Sequence, residues 1–166
     1  IDGVNVKFSE ITEKYISEAH IIIYVCNSVN TLKDSHKEII KKVLRDYNKL
    51  ESTIFVINKM DDVADTNDEE EYKEVSEIKR NTFIERLRQV IGLTNDEEKD
   101  LNIACIAANP KARGLSEWFE KPEEYKRRSH ISQLANCVTN VTQNSDISVL
   151  QNNTNMAVAK DLAQAI

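Results

Sequence analysis

Apolar positions along this chain switch repeatedly between a helical rhythm and short unbroken runs. Phe8, Ile11, Tyr15, Ile16 and Ala19 recur at three- and four-residue steps, which predicts a short amphipathic helix. Residues 21–26 (I-I-I-Y-V-C) then form a β-branched and aromatic run without polar alternation, the pattern of a strand covered on both faces. Ile39, Ile40, Val43, Leu44, Tyr47 and Leu50 return to helical spacing, and residues 53–57 (T-I-F-V-I) make a second buried strand. Val75, Ile78, Phe83, Leu87, Val90 and Ile91 mark a longer helix. The acidic run at residues 65–71 lies at its start, where the helix dipole favours negative charge, and Gly92 suits its C-cap.

Residues 101–107 (L-N-I-A-C-I-A) predict a third strand, ended by Asn109-Pro110, because proline biases its predecessor away from helix and cannot extend a ladder. From Glu123 onward, Tyr125, Ile131, Leu134, Val138 and Val141 predict one long helix. It is interrupted or recapped at Ser145-Asp146, and Val149, Leu150, Met156, Val158, Leu162 and Ile166 resume the pattern. Strands alternating with helices give an α/β fold with a parallel sheet and right-handed crossovers. Three strands make a thin sheet for segments this apolar, so a flank of residues 21–26 is expected to need a further partner strand.

Composition narrows the function. The chain has 166 residues, 40% hydrophobic and 30% charged, which suits one globular domain. No apolar run approaches the roughly 20 residues of a membrane-spanning helix, and residues 1–7 do not read as a signal peptide. A net charge of -6 opposes a polyanionic partner, so nucleic acid is disfavoured. Cys26 and Cys105 lie inside apolar runs, and all three cysteines read as reduced core residues of a cytoplasmic protein. His20, His36 and His130 stand alone, without metal-ligand spacing, and Ser35 reads as a helix N-terminal residue rather than a nucleophile. Trp118 and Phe119 are expected to pack as a cap on the sheet edge.

Parallel sheets bind ligands beyond the carboxyl ends of their strands, and there the second strand runs into Asn58-Lys59-Met60-Asp61. The stretch I-F-V-I-N-K-M-D resembles the guanine-specificity motif, Asn-Lys-x-Asp, of P-loop GTPases. Guanine presents two adjacent donors, the ring N1–H and the exocyclic amine, and one carboxylate accepts both. Asp61 takes that role under the resemblance. Adenine offers a lone pair and no amine at those positions, so the same carboxylate rejects it. Lys59 lays its methylene stem over the purine face, and Asn58 braces the loop and approaches the base edge.

The third strand ends Ile106-Ala107-Ala108-Asn109, which resembles the last GTPase motif, where a backbone N–H meets the guanine oxygen. Ala108 supplies that donor, Asn109 stands where dynamin-like members place an asparagine, and Ala107 departs from the usual serine. The candidate nucleotide-binding residues are therefore Asn58, Lys59, Asp61, Ala108 and Asn109.

The resemblance implies the guanine-recognition half of a GTPase domain, a partial three-stranded sheet of the P-loop GTPase three-layer type. With only Gly3, Gly92 and Gly114, the chain contains no G-x-x-x-x-G-K-[ST] phosphate loop, so phosphate, Mg2+ and catalytic residues are expected upstream, and none within the chain. Ile1-Asp2-Gly3 reads as the remainder of a cut just after an Asp-x-x-Gly element. The wide crossover at residues 65–92 and the helical tail are most similar to bacterial dynamin-like GTPases and, among them, the LeoA type. Residues 1–128 are then the GTPase part and residues 129–166 a helical segment leading to a bundle or stalk. The implied ligand is GTP or GDP with Mg2+, the implied activity GTP hydrolysis by the intact protein. The implied location is cytoplasmic or peripheral to a membrane, with self-assembly through helical parts. The competing expectation is a non-catalytic α/β protein-interaction module on a degenerate GTPase scaffold.

Overall fold

A computed structural model describes residues 15–144 and 147–164. Three strands, β1 (Ile22–Asn27), β2 (Thr53–Asn58) and β3 (Asn102–Cys105), form one parallel sheet in the order β1-β2-β3. Its helices are α1 (Lys37–Lys41), α2 (Glu69–Ile91), α3 (Asn95–Lys99), α4 (Leu115–Phe119), α5 (Pro122–Ser129), α6 (Ser132–Asn144) and α7 (Ile147–Gln164). The α/β expectation therefore stands. Tyr15 to Glu18 are helical, while the other part of the first expected helix, from Phe8, lies outside the described residues. Ser145-Asp146 and Ile166 lie outside them too, as do the side chains of Val149, Leu150 and Leu162.

β2 is the buried centre, and its two-residue alternation builds two cores. Phe55 and Ile57 face a large cluster with Ile40, Leu44, Phe83 and Leu87, which brings α1 and α2 onto one side. The Phe55 and Phe83 rings meet with centroids 5.0 Å apart. Ile54 and Val56 face the other side with Ala104 and Ile106, covered by Cys137 and Val141 of α6. Helices thus cover both faces of β2 and β3.

β1 departs from its expectation. Ile23 and Val25 remain 48% and 57% exposed, so only one face is covered. The register sets them beside Ile54 and Val56, on the α6 side, but the α6 cluster is built on β2 and β3.

Local chemistry explains the helix ends. The Asp68 side chain accepts from the backbone N–H of Glu70 and Glu71, with Glu69, Glu70 and Glu71 in the first turn, and Gly92 ends α2 at φ 63. α1 is bracketed by a 3-10 turn, Asp34–His36, and a π turn, Lys42–Asp46, so the expected stripe is real while its backbone is not one regular helix. His36 Nδ1 lies 3.2 Å from Tyr24 Oη.

The long helix expected from Glu123 is two. His130 adopts φ 50, a left-handed conformation that no helix interior accommodates, and separates α5 from α6. The third strand is shorter than residues 101–107. Beyond Cys105, Ile106 N–H donates to Ile57 O at 2.9 Å, but Ala107 N–H turns away to Ser129 O at 2.9 Å. Trp118 is buried as expected, whereas Phe119 is 79% exposed and is no part of that cap. The three cysteines are free and buried. Among the described residues no helix is long and apolar enough to cross a membrane.

Candidate functional site

Asn58, Lys59 and Asp61 leave the carboxyl end of β2, and Ala108 and Asn109 leave that of β3, so strand pairing alone brings the two segments side by side. Met60, the free position of the four-residue motif, is fully buried, and its N–H donates to Ile106 O at 3.1 Å. That anchor drives Lys59 into a left-handed conformation, φ 60, and leaves its side chain exposed. Lysine tolerates this conformation at a cost of about 1 kcal/mol, which the surrounding bonds offset.

Asn58 ties the two segments together. Its Oδ1 accepts from Lys59 N–H at 2.7 Å and from Ala108 N–H at 3.0 Å. One side chain thereby fixes the turn of its own loop and the exit of β3. Asp61 is half-buried beside them, and its Oδ2 accepts from Lys111 N–H at 2.7 Å. An ionised carboxylate has about four lone-pair directions, so this bond leaves acceptor capacity on both oxygens. Lys111 and Ala112 both have positive φ, 57 and 52, and the loop closes through Gly114 N–H donating to Asn109 Oδ1 at 2.8 Å.

Three contributors escaped the sequence reading. Ser28, buried just beyond β1, donates its hydroxyl to Lys59 O at 2.7 Å, and its N–H to Asn58 O at 2.9 Å. Its signal was available, since Ser28 follows a strand end as Asn58 does. Tyr125 of α5 donates its hydroxyl to Ala108 O at 3.1 Å. Lys111 engages Asp61 through the backbone, which no side-chain pattern announces. The five residues expected from sequence are gathered at one sheet end; Asn109 closes the β3 loop and its side chain turns to that loop.

The arrangement offers a carboxylate acceptor, an exposed lysine stem and a braced main chain, which is chemistry for holding a planar ligand with adjacent donors. Among the described residues no group of three His, Cys, Asp or Glu could hold a metal ion. A cavity of about 840 Å3 is lined by Glu69, Glu123, Glu124, Lys126, Arg127, His130 and Ser132, none of the five. Its charged, open lining offers no apolar wall for a purine.

Comparison with solved structures finds a match, titled LeoA bacterial dynamin GTPase from ETEC, at 46% identity and a TM-score of 0.81. The match covers 97% of this chain and 28% of that one. The chain is related to the bacterial dynamin-like GTPases. A dynamin-like helical domain family matches residues 93–165, a span that begins before β3 and runs through α7. Comparison with curated proteins finds no match. The dynamin-like relationship thus embraces both the sheet end that carries Asn58 and the helices that follow it.

Proposed function

We propose that the intact protein carrying this chain binds and hydrolyses GTP, and that this chain supplies guanine recognition. The observation that carries the reading is Asn58 Oδ1 bracing the Lys59 turn and the Ala108 N–H at once, with the Asp61 carboxylate half-buried alongside. The residues fit a guanine nucleotide. Asp61 would accept from the two purine donors, the Lys59 stem would cover the base, and the Ala108 N–H would meet the purine oxygen as a second acceptor beside Asn58. GTP, with Mg2+, supplies the bond that is cleaved; the residues here bind and orient the base and transfer no proton.

Support comes from the kinship with a dynamin GTPase and from the placement of the motif beyond the strands. The helices from Ser129 onward read as a segment leading into a bundle or stalk, and self-assembly and peripheral membrane association belong to the same reading. The sheet's carboxyl end, rather than the charged cavity near His130, is where the nucleotide is read.

Asp61→Asn tests this in the intact protein. The amide keeps the shape but replaces an acceptor by a donor facing guanine's donors, so preference for GTP over ATP should fall by about 100-fold or more. Equilibrium binding of both nucleotides measures it, and undiminished preference in the variant would rule the assignment out.

A further inference from the structure

The main chain at the exit of β3 carries no polar side chain at Ala107 or Ala108, so its position rests on its neighbours. Ala107 N–H donates to Ser129 O at 2.9 Å, Ala108 N–H to Asn58 Oδ1 at 3.0 Å, and Ala108 O accepts from Tyr125 Oη at 3.1 Å. Peptide planarity makes each bond fix a whole unit. Asn58 sets the plane that bears the Ala108 N–H, and Tyr125 sets the next plane, whose N–H belongs to Asn109. The first of these donors is the one assigned to the proposed base, and the second follows it directly along the chain.

Tyr125 is itself held in place. It is half-buried on α5, and its ring lies 5.9 Å from that of Trp118, which is buried on α4 beneath the Arg113 guanidinium at 5.7 Å. Ser129, fully buried, ends the same helix. One helix outside the sheet thus clamps the β3 exit at two points, a span of four residues that places Tyr125 and Ser129 on one helical face.

We propose that Tyr125 is a positioning residue of the base site, setting from α5 the main-chain N–H groups at 108 and 109 that meet the purine oxygen. The proposal rests on the guanine reading above. A tyrosine that merely packs would fill the same space, so the test must separate orientation of those donors from general support of the fold.

Tyr125→Phe in the intact protein removes one hydroxyl and keeps the ring against Trp118. Dissociation constants are measured for GDP, for 6-thio-GDP and for IDP, with thermal unfolding confirming the fold. Sulfur in place of the purine oxygen weakens the acceptor facing positions 108 and 109 while leaving both donors toward Asp61. Inosine removes the amine facing Asp61 and keeps the oxygen. In the variant the GDP to 6-thio-GDP ratio should shrink by about three- to tenfold, the worth of one hydrogen bond, while the GDP to IDP ratio stays within about twofold. Both ratios unchanged, or both reduced alike, would overturn the positioning role and leave the guanine reading intact. Wild-type protein that binds IDP as tightly as GDP would overturn that reading itself, and this inference with it.

Discussion

Lys49 is fully buried, and its ammonium donates to Ala19 O at 2.7 Å and to Thr154 Oγ1 at 2.9 Å. Both partners are neutral, and burial holds its pKa below the ordinary lysine value. The folded chain therefore binds this proton less readily than the unfolded one. Stability carries the full penalty below the lowered folded value and recovers as pH rises from there toward the ordinary value near 10.5. Lys49→Met keeps the volume, and the Thr154 hydroxyl already lies 3.4 Å from Ala19 O as a donor. Unfolding free energy at neutral pH should then change by no more than about 1 kcal/mol, since apolar replacement of a buried charge is often neutral or better. Denaturant titrations across alkaline pH should show the wild-type rise missing from the variant; an identical slope in both would remove the role assigned to this proton. Residues of this kind explain what sequence could reveal. Asn58, Lys59 and Asp61 stood out in the sequence because they match a four-residue motif directly after a buried strand, and the fold sets them at that strand's carboxyl end. Met60, Ser28 and Lys49 were not, since each owes its role to a partner from a distant segment.

Elements meet through a second charge, with a different outcome. Arg45, in the π turn after α1, binds Glu97 through Nη1 at 2.5 Å and Nη2 at 3.0 Å. Arg45 Nε also donates to Ile91 O at 3.0 Å, at the end of α2. Glu97 closes the capping box of α3, accepting from Thr94 N–H at 2.9 Å, so the Arg45–Glu97 pair together joins three helical segments. The Arg45 guanidinium, then the Thr94 N–H, pull its pKa down from 4.5 to about 2. A depressed carboxylate stabilises the fold above its unfolded value, and that contribution is lost as pH falls from about 4.5 to about 2. Both side chains are about a third exposed, so Arg45→Ala should cost only about 1 kcal/mol. It should also flatten the acid limb of a pH titration followed by circular dichroism; a limb as steep as wild type would place the acid sensitivity elsewhere. The same scale marks the limits of pattern reading. α2 was legible because Gly92 and the acidic run at its start act locally, while the cap itself, Asp68, was not singled out within that run. The break at His130 was not, because Ile131, Leu134 and Val138 keep helical spacing and periodicity does not register a single left-handed residue. β1 misled for a related reason: an apolar run signals that cover is wanted without saying which element provides it.

At the scale of the whole molecule, the exposed side of β1 decides how this chain behaves by itself. The chain spans 28% of the length of the LeoA protein it matches, and its sheet is three strands wide with β1 at one edge. Along that strand Ile23 and Val25 are 48% and 57% exposed, and Val29 just beyond is 69% exposed. The outer backbone groups of β1 have no strand partner among the described residues. An apolar, unprotected edge is a template for pairing, because each new strand satisfies a row of N–H and C=O groups and buries side chains together. Two β-branched residues covered this way contribute about 2 to 4 kcal/mol by transfer alone, enough to offset much of the entropy lost on association. The chain expressed alone should therefore self-associate with rising concentration. Val25→Lys sets a charge on the contact face without touching the β2 ladder, and it should shift sedimentation toward monomer at concentrations where the parent chain is assembled. The fold should survive, since Val25 makes no part of either core cluster. A parent chain that stays monomeric throughout would mean that the edge is shielded and that its apolar face is not the site of association.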